Sequence, residues 1–254
     1  MRSRYVDIDD RNDDLSERMR AEPAIAAEFL SKYEMSWLYH ENALEGVVYS
    51  TQEIEAAREG QPVADAAYVH TLREIRNHKA AIDLVRQEAR AKKLRLNLTL
   101  VKRLYETLGA GFEGRSTAEY RKDMPIHRAY FHEIAQPARI APGLTRLLEA
   151  CDTADFRNAH AIQQASRLQH GFMQVYPFTE NSGRVARLLA NLVLIQGGYL
   201  PCIIHATDRQ RYYESFRHPE PALRDLVTDA MENALGQAEK YLDLAIAARR
   251  KAAR

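Results

Sequence analysis

The sequence has few of the residues that build covalently or metal-stabilised folds. Its 254 residues include only two cysteines, Cys151 and Cys202, and their separation matches neither a disulfide framework nor a zinc-binding pattern. A disulfide scaffold and a cysteine-ligated zinc fold are therefore excluded, and so few cysteines favour a reduced, cytoplasmic setting. A chain of this length can bury a large hydrophobic core without such help.

Long apolar segments and an excess of one charge are also missing. Residues 1–14 are strongly charged, so no secretory signal is visible, and a signal-less export route stays open. The longest apolar stretch, Leu188–Leu194, is interrupted by Asn191 and is too short to cross a bilayer. The net charge of +1 gives no electrostatic reason to bind nucleic acid or an anionic membrane. We therefore expect a cytoplasmic protein with neither of these partners.

Two helical patterns meet at a polar turn in residues 176–187. Apolar residues recur at three- and four-residue steps before this turn and again after it. Pro177 prevents the first helix from continuing, and the run 181–183 favours a tight turn. The first N–H groups of the second helix lack helical partners, and Arg184 and Arg187 lie one helical turn apart. The turn therefore predicts a phosphate-binding site.

This turn resembles the signature of the Fic (Fido) family, His-Pro-Phe-x-Asp/Glu-Gly-Asn-Gly-Arg-x-x-Arg. Six positions match it: Pro177, Phe178, Glu180, Gly183, Arg184 and Arg187. Three positions depart from it: Tyr176 stands for the histidine, Asn181 for a glycine and Ser182 for the asparagine. Asparagine still tolerates the left-handed backbone region better than most residues, and serine still forms hydrogen bonds.

The resemblance implies a nucleotide-transferring active site. In active Fic enzymes the histidine takes a proton from a target hydroxyl, whose oxygen attacks the α-phosphate of ATP and receives AMP. Glu180 stands at the position that holds Mg²⁺, an ion that binds one carboxylate together with phosphate oxygens and waters. ATP with Mg²⁺ is the expected cofactor pair. The residues expected to bind the nucleotide are Asn181, Ser182, Gly183, Arg184 and Arg187.

Tyr176 at the catalytic position predicts impaired or altered chemistry. A phenol has an unperturbed pKa of ~10, so about one molecule in a thousand is ionised at neutral pH. General-base catalysis is typically worth ~10²–10⁴-fold, and nucleotide binding does not depend on it. His170 is six residues upstream, about 9 Å along a helix, and does not easily replace the lost group. His127 and His132 are better placed.

A candidate inhibitory helix covers residues 33–46. Its end, Glu41-Asn42-Ala43-Leu44-Glu45-Gly46, resembles the regulatory motif Ser/Thr-x-x-x-Glu-Gly/Asn of many Fic proteins, with Glu41 at the hydroxyl position. In those proteins the glutamate pairs with the second signature arginine and obstructs the γ-phosphate. The resemblance therefore implies that Glu45 faces Arg187 and competes with phosphate. From the pattern alone, the segment is an amphipathic helix that ends at a glycine.

The predicted fold is mainly α, the Fic helical fold with a short β-hairpin flap. We expect a flexible amino-terminal segment (1–22), amino-terminal helices (23–93), a Fic core (94–220) and a carboxy-terminal helix with a basic tail (221–254). Within the second region, short helices are predicted from Ala24 to Leu30 and from Ser50 to Gly60, the latter opened by a capping box. Loosely alternating residues predict the hairpin at about 119–135. In Fic proteins this flap holds the target by strand-like pairing, so a protein target is an expected partner besides the nucleotide.

Two hypotheses about function remain from the sequence. The first is a divergent Mg²⁺- and ATP-dependent transferase that acts on protein hydroxyl groups with impaired catalysis. The second is a catalytically silent Fic-fold protein that binds a nucleotide or a partner protein and acts as a regulator. A helical scaffold with an accidental signature match explains the six matching positions poorly.

Overall fold

The computed structural model describes residues 3–60, 66–125 and 132–252, and helices dominate it. Short 3₁₀ turns at Pro137–Arg139 and Ala206–Asp208 precede two of the helices. The α-helices are α1 (Arg4–Ala21), α2 (Pro23–Leu44), α3 (Thr51–Glu59), α4 (Ala66–Ala89), α5 (Leu98–Leu108), α6 (Ile140–Cys151), α7 (Ala154–Asn158), α8 (Ala161–Val175), α9 (Ser182–Gln196), α10 (Arg209–Ser215) and α11 (Pro221–Ala252).

Helix α9 forms the centre of the molecule. Every residue from Ser182 to Leu194 is buried, which is the property of a helix surrounded on all sides. Helices α8, α4 and α5 pack directly against α9, and α6 and α11 pack on α8. The turn between α8 and α9 is therefore held at both ends by core helices.

The amino-terminal segment expected to be flexible is helix α1 instead. Its apolar residues Ile8 and Leu15 are buried. Their packing stabilises the helix, although its sequence is mostly charged. Arginines at seven-residue intervals in α1 lie beside acidic residues of α11. The pairs follow the same order along both helices, so the two helices run parallel. The pairs are Arg4 with Asp229 and Glu232, Arg11 with Glu239, and Arg18 with Asp243. Tertiary contact with α11 therefore orders this segment, and helix α11 itself continues through the basic residues to Ala252.

Helix α2 joins two predicted helices into one. The structure has no break between Leu30 and Tyr33, so Pro23–Leu44 is continuous. Glu34 on this helix is 5% exposed and accepts ion pairs from three cations: Arg58 of α3 and Lys79 and Arg86 of α4. The predicted capping box at Ser50 is confirmed, with the Ser50 side chain bonded to the N–H of Glu53 and the Glu53 carboxylate bonded to the N–H of Ser50. These contacts fix α2 against α3 and α4.

The predicted hairpin is wrong for the part of it that is described. Residues 119–125 and 132–135 contain no strand, and residues 126–131 lie outside the described residues. The backbone N–H of Arg121 donates to the carbonyl of Pro177 at 2.9 Å, and that of Ala135 donates to the carbonyl of Gln174 at 2.8 Å. Both arms therefore donate backbone hydrogen bonds to the end of α8 and the turn after it.

Arg121 joins these two arms to the turn. Its side chain donates to the carbonyl of Tyr176 at 2.8 Å, to that of Asp123 at 3.1 Å and to that of Ala135. The residue is 4% exposed, so these bonds satisfy a buried cation with backbone dipoles. Among the described helices, none combines the length and apolar character needed to span a membrane.

His40 joins α2 to the 3₁₀ turn at 206–208, and we expect this contact to be acid-sensitive. Its Nδ1 accepts the N–H of Ala206 at 3.1 Å, and its ring stacks on His205 with centroids 4.3 Å apart. Burial and the neighbouring His205 lower the pKa of His40 to about 4, against ~6.5 for an unfolded chain. Between these two pH values the unfolded chain binds a proton at His40 and the folded protein does not. The contribution of the neutral His40 contact to the free energy of unfolding is therefore full above pH ~6.5 and is lost as the pH falls towards 4.

We expect His40→Gln to lose that part of the pH dependence. The amide oxygen can still accept the N–H of Ala206, but the unfolded variant gains no proton at this position. Urea unfolding at pH 7, 5.5 and 4.5 should show wild type losing about 1 kcal/mol more than the variant, after discounting for partial exposure. His170→Gln, at a histidine whose Nε2 contacts the carbonyl of His218, is the control. Parallel pH profiles for wild type and His40→Gln would contradict the assignment.

Candidate functional site

The turn between α8 and α9 is built on two left-handed residues. Tyr176 ends α8 with φ 47° and ψ 64°, and Asn181 precedes α9 with φ 60° and ψ 3°. Asparagine adopts this region readily, whereas for a tyrosine it is uncommon. The N–H of Tyr176 still donates to the carbonyl of Phe172 at 2.8 Å and closes the last turn of α8. The polypeptide thus reverses in six residues and brings the start of α9 beside the end of α8.

Ser182 holds the turn closed from inside. Its hydroxyl accepts the N–H of Phe178 and donates to the carbonyl of the same residue, both at 2.9 Å. Phe178 is fully buried and stacks on Tyr105, with ring centroids 4.2 Å apart. Because the Ser182 hydroxyl is used within the turn, the group that Ser182 offers to an anion is its backbone N–H at the start of α9.

Arg187 is buried and held by two carboxylates of α2. The side chain is 3% exposed; its Nε donates to Glu41 at 2.6 Å and its Nη2 donates to Glu45 at 2.6 Å. Its Nη1 donates to the hydroxyl of Tyr212 at 3.2 Å, and that ring also lies 5.5 Å from the guanidinium carbon. The contact between Glu45 and Arg187 implied by the sequence resemblance is therefore present, and Glu41 adds a second one.

Arg184 is also occupied by protein groups. Its Nη1 donates to Oδ1 of Asn181 at 2.9 Å, and its Nη2 donates to Oδ1 of Asn42 at 2.8 Å. The carboxylate of Glu74 lies 3.8 Å from the same guanidinium, and Arg184 is 8% exposed. Both signature arginines thus face helix α2 instead of the open anion site that their spacing predicts. An anion can bind the terminal nitrogens of these arginines only by replacing the protein groups that now contact them.

Glu45 occupies the space at the amino-terminal end of α9. It follows the last residue of α2, and a Cβ atom built on Gly183 would lie 2.6 Å from its Oε1. The start of a helix stabilises a carboxylate through its partial positive charge and unpaired N–H groups, as it would stabilise a phosphate. Burial opposes ionisation of Glu45, yet Arg187 and Arg184 lower its pKa below the ordinary value. The carboxylate is therefore an internal anion in the position that a ligand's phosphate would use.

Comparisons with known proteins identify the domain that contains the turn and α9. Residues 95–194 match the model of the Fic/DOC family. The chain contains a Fic domain. The match lies within the core predicted at 94–220 and includes the whole of the turn and most of α9.

The relatives share this domain at low identity. Protein adenylyltransferase Fic of Drosophila virilis is 22% identical over 210 residues, which cover 83% of this chain and 42% of that protein. This chain therefore spans less than half the length of that relative. A Fic domain containing signaling protein from Bacteroides thetaiotaomicron superposes with a TM-score of 0.78 at 19% identity, over 92% of this chain and 97% of that one.

A third comparison involves a protein complex. A variant of IbpAFic2 in complex with adenylylated Cdc42 has a TM-score of 0.51 at 13% identity, covering 91% of this chain and 87% of that one. At these identities the structures establish a shared fold. The fold is the mainly helical Fic fold.

The histidines near Tyr176 in this Fic domain are committed to other contacts. The Nε2 of His132 lies 2.9 Å from the carbonyl of Met173, and its ring centroid is 6.4 Å from that of Tyr176. The Nε2 of His170 contacts the carbonyl of His218, and His127 lies outside the described residues. Of the histidines considered from the sequence, His132 is the one that the structure places beside Tyr176.

Glu180 lies at the surface of the turn and pairs with Arg115. Its side chain is 48% exposed, and its two oxygens lie 2.7 Å and 3.1 Å from Nε and Nη2 of Arg115. Among the described residues no group of three histidine, cysteine, aspartate or glutamate side chains could hold a metal. Glu180 therefore provides one carboxylate, which fits an ion that takes its other ligands from phosphates and water.

Sequence reasoning assigned no contact with the signature arginines or with Glu180 to several residues of the site. Glu41, Asn42 and Tyr212 contact the signature arginines, and Glu74 and Arg115 extend the charged network to α4 and the loop after α5. One signal was available, since Glu41 and Glu45 are four residues apart and therefore share one face of a helix. The contributions of α4 and of the loop after α5 depend on long-range packing and leave no local pattern.

Gly183→Ala tests the placement of Glu45. The new Cβ would displace the carboxylate from Arg187, so in wild type we expect unfolding free energy to fall by about 1 kcal/mol or more. In a Glu45→Gly background the nearest remaining atom is Nη1 of the flexible Arg187 side chain, at 3.1 Å. The loss should therefore shrink or become a gain of up to about 1 kcal/mol. Denaturant unfolding of the four proteins measures this dependence on Glu45.

Gly236→Ala provides a matched control, because a Cβ at this α11 glycine would meet only Nη2 of Arg11, at 3.7 Å. It should stabilise both backgrounds equally. If Gly183→Ala changes the unfolding free energy equally in both backgrounds, Glu45 does not occupy the start of α9 in solution.

Proposed function

We propose that this chain binds a nucleoside triphosphate with Mg²⁺ at the turn 176–187 and is a Fic-type AMP transferase acting on protein hydroxyl groups, with catalysis impaired at Tyr176. The observation that carries the proposal is the carboxylate of Glu45 at the start of α9, bonded to Arg187. An internal anion in this position indicates a site built for anions. The same contact makes Glu45 inhibitory, because a phosphate must displace it.

The binding residues follow from the geometry of the turn. The N–H groups at Asn181, Ser182 and Gly183 begin α9, where a helix offers unpaired donors and partial positive charge. Arg184 and Arg187 supply planar, multi-donor contacts suited to phosphate once groups of α2 withdraw.

Glu180 is the residue that would hold Mg²⁺. It is exposed and single, and Mg²⁺ commonly combines one or two carboxylates with phosphate oxygens and retained waters. The ion would neutralise phosphate charge during displacement at the α-phosphate. Because Arg115 now occupies both oxygens of Glu180, metal binding and this ion pair compete for the carboxylate.

Tyr176 determines how fast transfer can be. When the target oxygen bonds to the α-phosphorus, pyrophosphate leaves and the proton of the target hydroxyl must be accepted nearby. A neutral phenol accepts a proton poorly, so this step loses most of the ~10²–10⁴-fold that a positioned base supplies. The Fic domain thus retains the parts that bind and orient a nucleotide while its base is weak.

A groove near Tyr176 is the proposed binding place of the protein target. It measures about 850 Å³ and is lined in part by the described arms of the predicted flap, including His132, whose ring also faces that of Tyr176. The groove also includes Met124, Gln136, Phe216 and His218. One structural neighbour is a complex with an adenylylated protein, Cdc42. These observations support a protein hydroxyl as the acceptor.

A silent regulator is the second candidate function. Two observations favour it: a phenol stands at the catalytic position, and both signature arginines are buried against α2. Such a protein would bind a nucleotide or a partner without transferring AMP. The two candidates differ in one measurable property, which is AMP transfer from the parent sequence.

Transfer of labelled AMP from ATP that carries the label at its α-phosphate distinguishes the transferase from the silent regulator. With Mg²⁺ and lysate proteins, we expect weak labelling by the parent, since Glu45 blocks the site and Tyr176 is a poor base. Glu45→Gly should increase nucleotide affinity by about tenfold or more, because a charge-assisted bond no longer competes. Adding Tyr176→His should increase transfer by ~10²–10⁴-fold over Glu45→Gly.

Each single variant serves as the control for the double variant. Absence of label from the parent and from Glu45→Gly, with nucleotide binding retained, would favour the silent regulator. Calorimetry that detects no nucleotide binding by the double variant would contradict the proposed function.

Arg115→Ala tests the metal role of Glu180. Removing the guanidinium frees the carboxylate, so the Mg²⁺ concentration needed for half-maximal ATP binding should fall several-fold. Arg115→Lys, which retains the positive charge, is the control. An unchanged Mg²⁺ dependence in Arg115→Ala, measured in the Glu45→Gly background, would show that Glu180 does not hold the ion.

A further inference from the structure

Glu41 contacts the same arginine as Glu45 but lies deeper in the protein. Its side chain is 3% exposed, whereas that of Glu45 is 27% exposed. Glu41 takes the Nε of Arg187, and Glu45 takes Nη2 and lies beside Gly183 at the mouth of the turn. A ligand entering the turn therefore meets Glu45 first. Glu41 lies beneath the guanidinium, away from the ligand's path.

The two carboxylates consequently differ in whether they can leave. Glu45 follows the last residue of α2, and a phosphate can take its bond to Nη2. Glu41 is within α2 and almost completely buried, so separating it from Arg187 would leave two uncompensated charges in the core. When Glu45 withdraws, Glu41 remains as the counter-ion of Arg187.

This permanent pair changes the charge that a ligand experiences. After Glu45 withdraws, Arg187 still offers hydrogen bonds, but its positive charge is balanced by Glu41. Arg184 then provides the remaining cation of the signature, and Glu74 lies 3.8 Å from it. Each additional phosphate charge on a ligand therefore gains little attraction from the two signature arginines, Arg184 and Arg187.

We infer that Glu41 is a specificity-determining residue, which lowers the preference of this site for nucleoside triphosphates over monophosphates by neutralising Arg187. The inference rests on the proposed function, since it concerns the nucleotide at the same turn. It separates the two acidic residues of α2: Glu45 decides whether the site is open, and Glu41 sets how much phosphate charge the open site prefers.

Glu41→Gln in the Glu45→Gly background isolates this charge. Glutamine has the same shape and can still accept the Nε–H of Arg187, so the variant removes charge while keeping the hydrogen bond. Calorimetry with ATP, ADP and AMP should show the ratio of ATP to AMP affinity rising by about tenfold or more relative to Glu45→Gly alone. The Arg187 Nε–H resonance in NMR spectra should remain protected, which confirms that the guanidinium has not moved.

Glu34→Gln in the Glu45→Gly background is the matched control. It also removes a buried carboxylate of α2, but one that pairs with α3 and α4, two helical turns before Glu41. It should leave the ratio unchanged. An ATP to AMP ratio that stays constant or falls in Glu41→Gln would overturn the inference.

Two further measurements keep the test decisive. The Glu45→Gly protein retains Glu41, so it should bind ATP no more than about tenfold more tightly than AMP; a ratio above about a hundredfold would overturn the inference even if Glu41→Gln did not fold. Inorganic tripolyphosphate tests the turn without a nucleoside. If no protein binds nucleotides but Glu41→Gln strengthens tripolyphosphate binding, the proposed function fails and the role of Glu41 stands.

Discussion

The buried ion pairs between Arg187 and the two carboxylates of α2 are the interaction on which the arrangement of this Fic domain depends. A guanidinium with 3% exposure in the central helix needs partners that satisfy both its charge and its donors. Glu41, Glu45 and the Tyr212 hydroxyl supply them. Helix α2 is therefore bound to α9 at the point where a ligand would enter, so the closed state follows from the need to compensate a buried cation. Burial, together with the nearby charge of Glu45, raises the pKa of Glu41 above its ordinary value, although Arg187 acts in the opposite direction.

The turn before α9 is a second constraint, and it is met within the backbone. Left-handed residues at Tyr176 and Asn181 reverse the chain, the Ser182 hydroxyl closes the turn, and Arg121 binds the carbonyl of Tyr176. All of these contacts are internal to the protein. The turn consequently keeps its shape while Glu45 occupies it, which means that opening the site requires movement of Glu45 at the end of α2 and not refolding of the turn.

Much of this could be predicted from the sequence where the determinants are local. The proline after α8, the periodic apolar residues of α9 and the capping box at Ser50 specify the turn and the helices, because each acts within a few residues. The flap prediction failed in its described part because local alternation cannot reveal that the N–H groups of Arg121 and Ala135 pair with the end of α8. The helix α1 was missed for a similar reason, since its stability comes from packing against α11.

The sequence by itself determined the identity of the domain and the chemical types at its turn: two arginines, one acidic residue and a phenol in place of a histidine. The resemblance also implied the contact between Glu45 and Arg187, and only the tertiary structure added Glu41, Asn42 and Tyr212 as partners of those arginines. Glu41 and Glu45 approach from a helix more than 140 residues earlier in the chain, and Tyr212 approaches from one 25 residues later. Charges compensate one another according to distance in space, and distances of this kind are set by the packing of whole helices, which no short stretch of residues encodes.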